Sequence, residues 1–200
     1  SIQKCIDLPF YIGELWYSIQ MIMKKKILAL GSAALLTATM FTLHSCSSIP
    51  KGAKAIQGFE KEKYLGHWFE IARLDFVFEK NLNNTTADYS INDDGSIKVV
   101  NKGYDYIKNK SVASTGKAKF VGDPTEGRLK VSFFGPFYSG YNILALDSEY
   151  KYALVVGKNL KYMWLLSREK TMPEAIKNDY LKIAKNLGYD TSALIWVKHD

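Results

Sequence analysis

A glutamate set among large apolar residues is the first candidate for chemistry in this chain. Glu70 stands between Phe69 and Ile71 in the stretch YLGHWFEIARLDFVFEK, residues 64–80. A carboxyl group in apolar surroundings is costly unless it is paired or protonated. Such a group either supports the structure or meets the polar end of a ligand. A tyrosine hydroxyl or Asn142 is its expected partner. Other reactive residues are sparse: the histidines are His44, His67 and His199, and the cysteines are Cys5 and Cys46. With His67 beside Trp68 and His199 near the last residue, a Ser/His/Asp or Cys/His arrangement is hard to assemble. No catalytic residue is therefore assigned, although catalysis by Glu70 with a tyrosine stays formally open. No His/Cys/Asp cluster has metal-ligand spacing, and neither Gly-x-x-x-x-Gly-Lys nor Gly-x-Gly-x-x-Gly occurs. Neither a metal nor a cofactor is expected.

Residues 23–46 have the order of an export signal. Met23-Lys24-Lys25-Lys26 is a basic start, and ILALGSAALLTATMFTL (27–43) is a largely apolar run of 17 residues. That run is at the short limit for a membrane span and carries several small or hydroxyl residues. Leu43-His44-Ser45-Cys46 resembles the lipobox of bacterial lipoproteins, with His44 larger and more polar than usual at its position. The resemblance implies lipid attachment at Cys46 and, because Ser47 follows the cysteine, sorting to the outer membrane, with the domain facing the periplasm. Ordinary secretion with an incidental Cys46 is the rival reading. Residues 1–22 read as a non-native upstream extension, with Met21 or Met23 as the natural start. Residues 23–45 form the signal, 46–57 a tether, and 58–200 the domain.

Without residues 1–45, Lys plus Arg falls from 27 to 23 and Asp plus Glu from 20 to 18, leaving about +5. A mild excess of this kind favours anionic headgroups. It is spread along the chain with no Arg-rich block, so nucleic acid is not an expected partner. Cys46 is then the one cysteine left, which excludes an internal disulfide.

The elements that must position Glu70 follow from a period of two that recurs from residue 64 onward. Candidate strands are 66–74, 85–91, 96–103, 111–121, 127–134, 140–147, 150–158 and 160–168. Asn92-Asp93-Asp94-Gly95, Gly122-Asp123-Pro124, Gly135-Pro136 and Gly157-Lys158-Asn159 are the turns between several of them. Eight evenly spaced strands predict an all-β antiparallel up-and-down meander, and closure into a barrel removes both unpaired edges. The pattern changes once. TMPEAIKNDYLKIAKNLG (171–188) has Thr171 and Glu174 at capping-box spacing, an apolar stripe of Ile176, Tyr180, Ile183 and Leu187, and Gly188 to end it. This predicts one helix packed outside the sheet, followed by a short ninth strand at 193–199.

With that order in place, the chain resembles the lipocalins, and in particular the bacterial outer-membrane lipocalin lipoproteins. Three separated segments carry the resemblance. Gly66-His67-Trp68 is similar to the family's first motif, and GYNILALDSEYKYALV (140–155), with Asp147 and Tyr150, to its second. WLLSREK (164–170) is similar to the third through Arg168. VNKGYD (100–105) and KVSFFGPFYSGYN (130–142) resemble the bacterial branch. The resemblance implies that Gly66, Trp68, Asp147, Tyr150 and Arg168 are structural, with Arg168 laid over Trp68 at the closed end.

In such a barrel Trp68, Glu70 and Ala72 face the lumen, while Phe69 and Ile71 face out towards the helix. Alternation adds Leu160, Tyr162, Trp164 and Leu166 from the eighth strand and Ala87, Tyr89 and Ile91 from the second. The fourth contributes Ser114, Gly116, Ala118 and Phe120. The expected ligand contacts are Glu70, Ala72, Tyr89, Phe120, Asn142, Tyr162 and Trp164. A rim of Phe76, Phe78, Tyr104, Tyr106, Phe134, Phe137 and Tyr138 marks the open end. It is a candidate lipid-facing or homodimer surface, with ordinary loop packing as the alternative. The resemblance implies a membrane-tethered carrier or store of fatty acids or lysophospholipids. A lipocalin-fold enzyme acting on a small lipid, or a structural or stress-response envelope protein without ligand, are the alternatives.

Overall fold

The alternation is realised as one closed antiparallel sheet in the computed structural model, which describes residues 49–76 and 79–200. The strands are β1 (Gly66–Leu74), β2 (Leu82–Ile91), β3 (Ile97–Asp105), β4 (Lys110–Phe120), β5 (Arg128–Phe134), β6 (Phe137–Leu146), β7 (Tyr152–Val156) and β8 (Met163–Ser167). Each pairs with the next, and β1 pairs with both β2 and β8, which closes an eight-stranded up-and-down barrel. The short helix α1 (Lys61–Tyr64) precedes β1, the helix α2 (Glu174–Asn186) follows β8, and β9 (Leu194–Trp196) adds to β1.

Two apolar clusters follow from the two faces of the strands. The lumen holds Trp68, Tyr89, Val99, Ala118, Leu129, Ile143, Val155 and Leu166 among others. The outer cluster holds Ile71, Leu154, Val156, Met163 and Leu165 against Tyr180 and Ala184 of α2. The helix stripe differs from the expected one: Ala184 is fully buried while Ile183 is exposed. The helix also starts at Glu174, after Pro173, with no side-chain cap, so the capping box of Thr171 and Glu174 does not form. Thr171 instead gives its carbonyl to the Ser167 hydroxyl at 2.8 Å. The packed part of the chain begins earlier than expected. Ala55 is buried, Ile56 exchanges backbone hydrogen bonds with Ile143 and Gly127, and Gln57 bridges to Glu126. The last residues of the stretch read as a tether thus pack at the closed end.

That closed end is built round Trp68, which is wholly buried. The Arg168 guanidinium lies 3.9 Å from its ring centroid. The same guanidinium donates to the carbonyls of His67, Lys63, Tyr64 and Leu65, and to that of Tyr150 through Nε. One planar fork therefore ties α1, β1 and the β7 approach together, in addition to a ring contact worth roughly 0.5–2 kcal/mol. Gly66 has φ +93, and a Cβ there would sit 3.4 Å from Arg168 Nη1, so glycine suits the passage beneath it. Asp147 organises the β6–β7 turn by accepting from the backbone N–H groups of Glu149, Lys151 and Tyr152. Tyr150 follows in the left-handed region at φ 58, and its hydroxyl accepts from the Glu60 N–H. These five residues serve the scaffold.

A β-bulge changes the phase of β1. Glu70 is opposite Leu166, but Ala72 is opposite Leu165, leaving Ile71 as the extra residue. Ile71 and Ala72 then both belong to the outer cluster, and Arg73, opposite the lumen residue Trp164, turns inward. The expected lumen position of Ala72 is corrected accordingly: it packs under the helix. Above the bulge β1 no longer pairs with β2. The C-terminal segment fills that seam, with Val197 donating to the Ile71 carbonyl and Asn84 to the Lys198 carbonyl.

Candidate functional site

The seam between β1, β2 and β8 carries the most unusual chemistry in the barrel. Glu70 is buried, and its Oε1 accepts from Arg73 Nη1 at 2.7 Å. The expected partners, a tyrosine hydroxyl or Asn142, are replaced by an arginine three residues on, brought to the same face by the bulge. Arg73 is itself almost fully buried, and its Nη2 donates to the carbonyls of Glu79 (2.6 Å) and Leu82 (3.1 Å). Those bonds fold the β1–β2 connection into the mouth. They also bring in Glu79, whose Oε2 accepts from Trp164 Nε1 at 3.1 Å and lies 3.9 Å from Arg73 Nε.

Two carboxyl groups thus share one guanidinium. Burial pushes the Glu79 carboxyl up to about 8, with the nearby charge of Glu70 adding to the rise and Trp164 and Arg73 opposing it. Burial also raises Glu70, against the charge and hydrogen bond of Arg73. At neutral pH Glu79 is therefore mainly protonated, and for both carboxyls burial favours the neutral form while Arg73 favours the charged one. Glu79 is missed by strand alternation because it falls in a loop. The signal that could have found it is an acid inside the aromatic run FVFEK.

Aromatic rings form the adjoining wall. Tyr162 and Trp164 stack at 6.3 Å between centroids, and Phe76 meets each edge-on at 5.7 Å. Phe76 thus leaves the expected rim and lines the mouth, while Phe78 lies outside the described residues. The exposed rim consists of Tyr104, Tyr106, Ile107, Phe134, Phe137 and Tyr138. They come from the β3–β4 and β5–β6 ends, one side of the opening.

Deeper in the lumen, three tyrosines form a hydroxyl chain. Tyr141 stands 2.7 Å from Tyr64 and 2.8 Å from Tyr89, oxygen to oxygen. Burial raises the pKa of all three phenols, so they stay neutral donors and acceptors. The void they enclose with Ile97, Val99, Ala118, Leu129 and Val131 measures ≈ 10 Å³, room for about one water molecule. A larger hollow of ≈ 250 Å³ opens at the closed end, beneath the β2–β3 turn and beside Phe120, away from the glutamates.

The expected ligand contacts therefore divide. Glu70, Tyr89, Phe120 and Trp164 face the lumen or pack on its cluster, and Tyr162 stacks on Trp164 at the mouth. Phe120 sits low, near the closed end. Asn142 does not face the lumen. It lies between the inward residues Tyr141 and Ile143, and its Nδ2 donates outward to the carbonyls of Val156 and Gly157. Leu160 and Ile91 are exposed rather than inward, because β8 begins only at Met163 and β2 ends at Ile91.

A fold of this order, with the Gly-x-Trp step clamped by a C-terminal arginine, defines a lipocalin. The family profile described as "Lipocalin-like domain" matches residues 59–199, and the chain belongs to that family. It is 49% identical over 160 residues to the outer membrane lipoprotein Blc of Citrobacter freundii, covering 79% of this chain and 90% of that protein. The Escherichia coli (strain K12) protein of the same name is 48% identical over the same shares. Temperature-induced lipocalin-1 of Arabidopsis thaliana is 32% identical, over 72% of this chain and 81% of the plant protein. Among solved structures, insecticyanin from Manduca sexta superposes with a TM-score of 0.62 at 20% identity, covering 76% of this chain and 87% of that one, a likeness of fold alone. The bacterial relatives mark the chain as an outer-membrane lipocalin lipoprotein; Cys46, the expected attachment point, lies outside the described residues.

Proposed function

We propose that this lipocalin binds and carries or stores single-chain lipids, fatty acids or lysophospholipids, in the bacterial envelope, held to the outer membrane through Cys46 with its barrel facing the periplasm. The observation that supports this most is the two-part lumen. Apolar side chains line its depth, and a buried charged cluster with an aromatic wall occupies its mouth. An alkyl tail needs the first and a polar head the second. The exposed aromatic rim supports contact with lipid or with a second copy of the chain. The tyrosine floor, with space for about one water, favours the second reading of a ligand-free envelope protein.

Native mass spectrometry of protein prepared without detergent separates the two, since co-purified lipid is expected only of a carrier. Trp164→Ala is expected to weaken binding of a fluorescent fatty acid severalfold with little change in melting. Trp68→Ala is expected to destabilise by roughly 3–5 kcal/mol, the usual cost of removing a buried large aromatic. The reverse pattern in binding and melting curves would overturn the placement of the ligand in the upper lumen.

A further inference from the structure

The polar end of the lumen is built mainly from acceptors. Besides the carboxyl groups of Glu70 and Glu79, which accept from Arg73 and Trp164, the inward face carries Asn101 Oδ1 and the Thr85 hydroxyl among the described residues. Asn101 Oδ1 makes no hydrogen bond, while the Thr85 hydroxyl is turned to the Glu70 carboxyl and helps to favour its ionised form. Asn101 shares its face with Val99, and Thr85 meets the space above Gly103 on the same wall. Arg73 Nε is the one buried donor there left without a hydrogen bond, and it points towards Glu79 Oε2 at 3.9 Å. Atoms this buried and this incompletely bonded are costly unless a guest completes them.

We infer that this cluster is a head-group site selective for a primary ammonium carried on a single alkyl chain, rather than for a free carboxylate. The inference rests on the carrier reading above and narrows its ligand. A carboxylate head would add a third acid around one guanidinium already held by Glu70 and the loop carbonyls. An ammonium offers three donors to a wall that supplies the Glu79 carboxyl and the unbonded Asn101 Oδ1, and its charge at Glu79 comes beside Trp164, which already donates to that carboxyl. Its arrival favours the ionised form of Glu79, so a proton leaves Glu79 Oε for solvent as the ion pair forms. The titratable and charged groups facing Glu79 are Glu70 and Arg73 from β1 and Tyr89 from β2. His199, from the C-terminal segment, touches the Glu70 carbonyl.

The test is a titration of the intact protein with hexadecylamine, hexadecanol and palmitate at pH 7, below their aggregation concentrations, followed by tryptophan fluorescence with Trp164→Phe as control. The amine is expected to bind at least about tenfold tighter than palmitate, the scale of one charge-assisted contact. Glu79→Gln is expected to bring the two within about threefold of each other. Calorimetry in buffers of different ionisation enthalpy should show proton release on amine binding at pH 7 and much less at pH 9. Palmitate binding as tightly as the amine, or an amine affinity unchanged in folded Glu79→Gln, overturns the head-group assignment. If hexadecanol binds while the amine shows no advantage, the ammonium site falls and the carrier reading survives. If none of the three is bound, both fall.

Discussion

Glu79 can be followed through its proton. Its folded-state pKa of about 8 stands above the ordinary carboxylate value of 4.5, so the folded protein holds a proton that the unfolded chain has released. Stability should therefore be fully present below about pH 4.5, fall as pH rises through the window to about 8, and level off beyond it. Each tenfold difference in proton affinity between the two states is worth roughly 1.4 kcal/mol, which bounds the loss at a few kcal/mol across the window. Glu70 shares in that loss through the common arginine. Glu79→Gln keeps the Trp164 contact without the titration. Denaturation curves between pH 5 and 9 should be flatter for the variant, which should gain on the wild type as pH rises. Parallel curves would mean that Glu79 is ionised in the folded state at neutral pH.

The strands show which features could be inferred in advance. Their number and the division of loops between mouth and base follow from alternation and turn residues, and the Trp68–Arg168 clamp from the resemblance to the family. What alternation cannot carry is a phase change. One extra residue at Ile71 sends Ala72 outward and Arg73 inward, and the same failure hides Arg73 as the partner of Glu70. Asn142 fails differently: it follows the alternation of β6, but the phase of that strand sets it on the outward face. Glu79 depends on a loop folded by two backbone carbonyls, contacts that no local pattern records. The bulge makes its own prediction. Ala72 is wholly buried beneath α2, so Ala72→Leu should overpack that interface and cost roughly 1–3 kcal/mol. Fluorescent-lipid affinity should stay unchanged at temperatures where the variant is folded. A stable variant with weakened binding would return Ala72 to the lumen.

At the scale of the whole barrel, the floor limits how deep a tail can reach. The clamp at Arg168 and the N-terminal segment at Ile56 and Phe59 seal the base, and the tyrosine chain stands above them. With a void of only ≈ 10 Å³ below, an alkyl chain entering from the mouth must stop near Tyr89 and Tyr141. Each methylene that gains burial is worth roughly 0.8 kcal/mol, so depth should control the preferred chain length. Tyr141→Ala removes the central ring of the floor. It should lower stability by roughly 3–5 kcal/mol, as truncation of a large buried aromatic does. It should also move the optimum of an alkyl-chain series, from ten to eighteen carbons on one head group, towards longer members. Affinity rising with length to the same limit in both proteins would show that tails do not descend this wall. The barrel would then hold its ligand by the mouth alone, where Glu79, Arg73 and Trp164 meet.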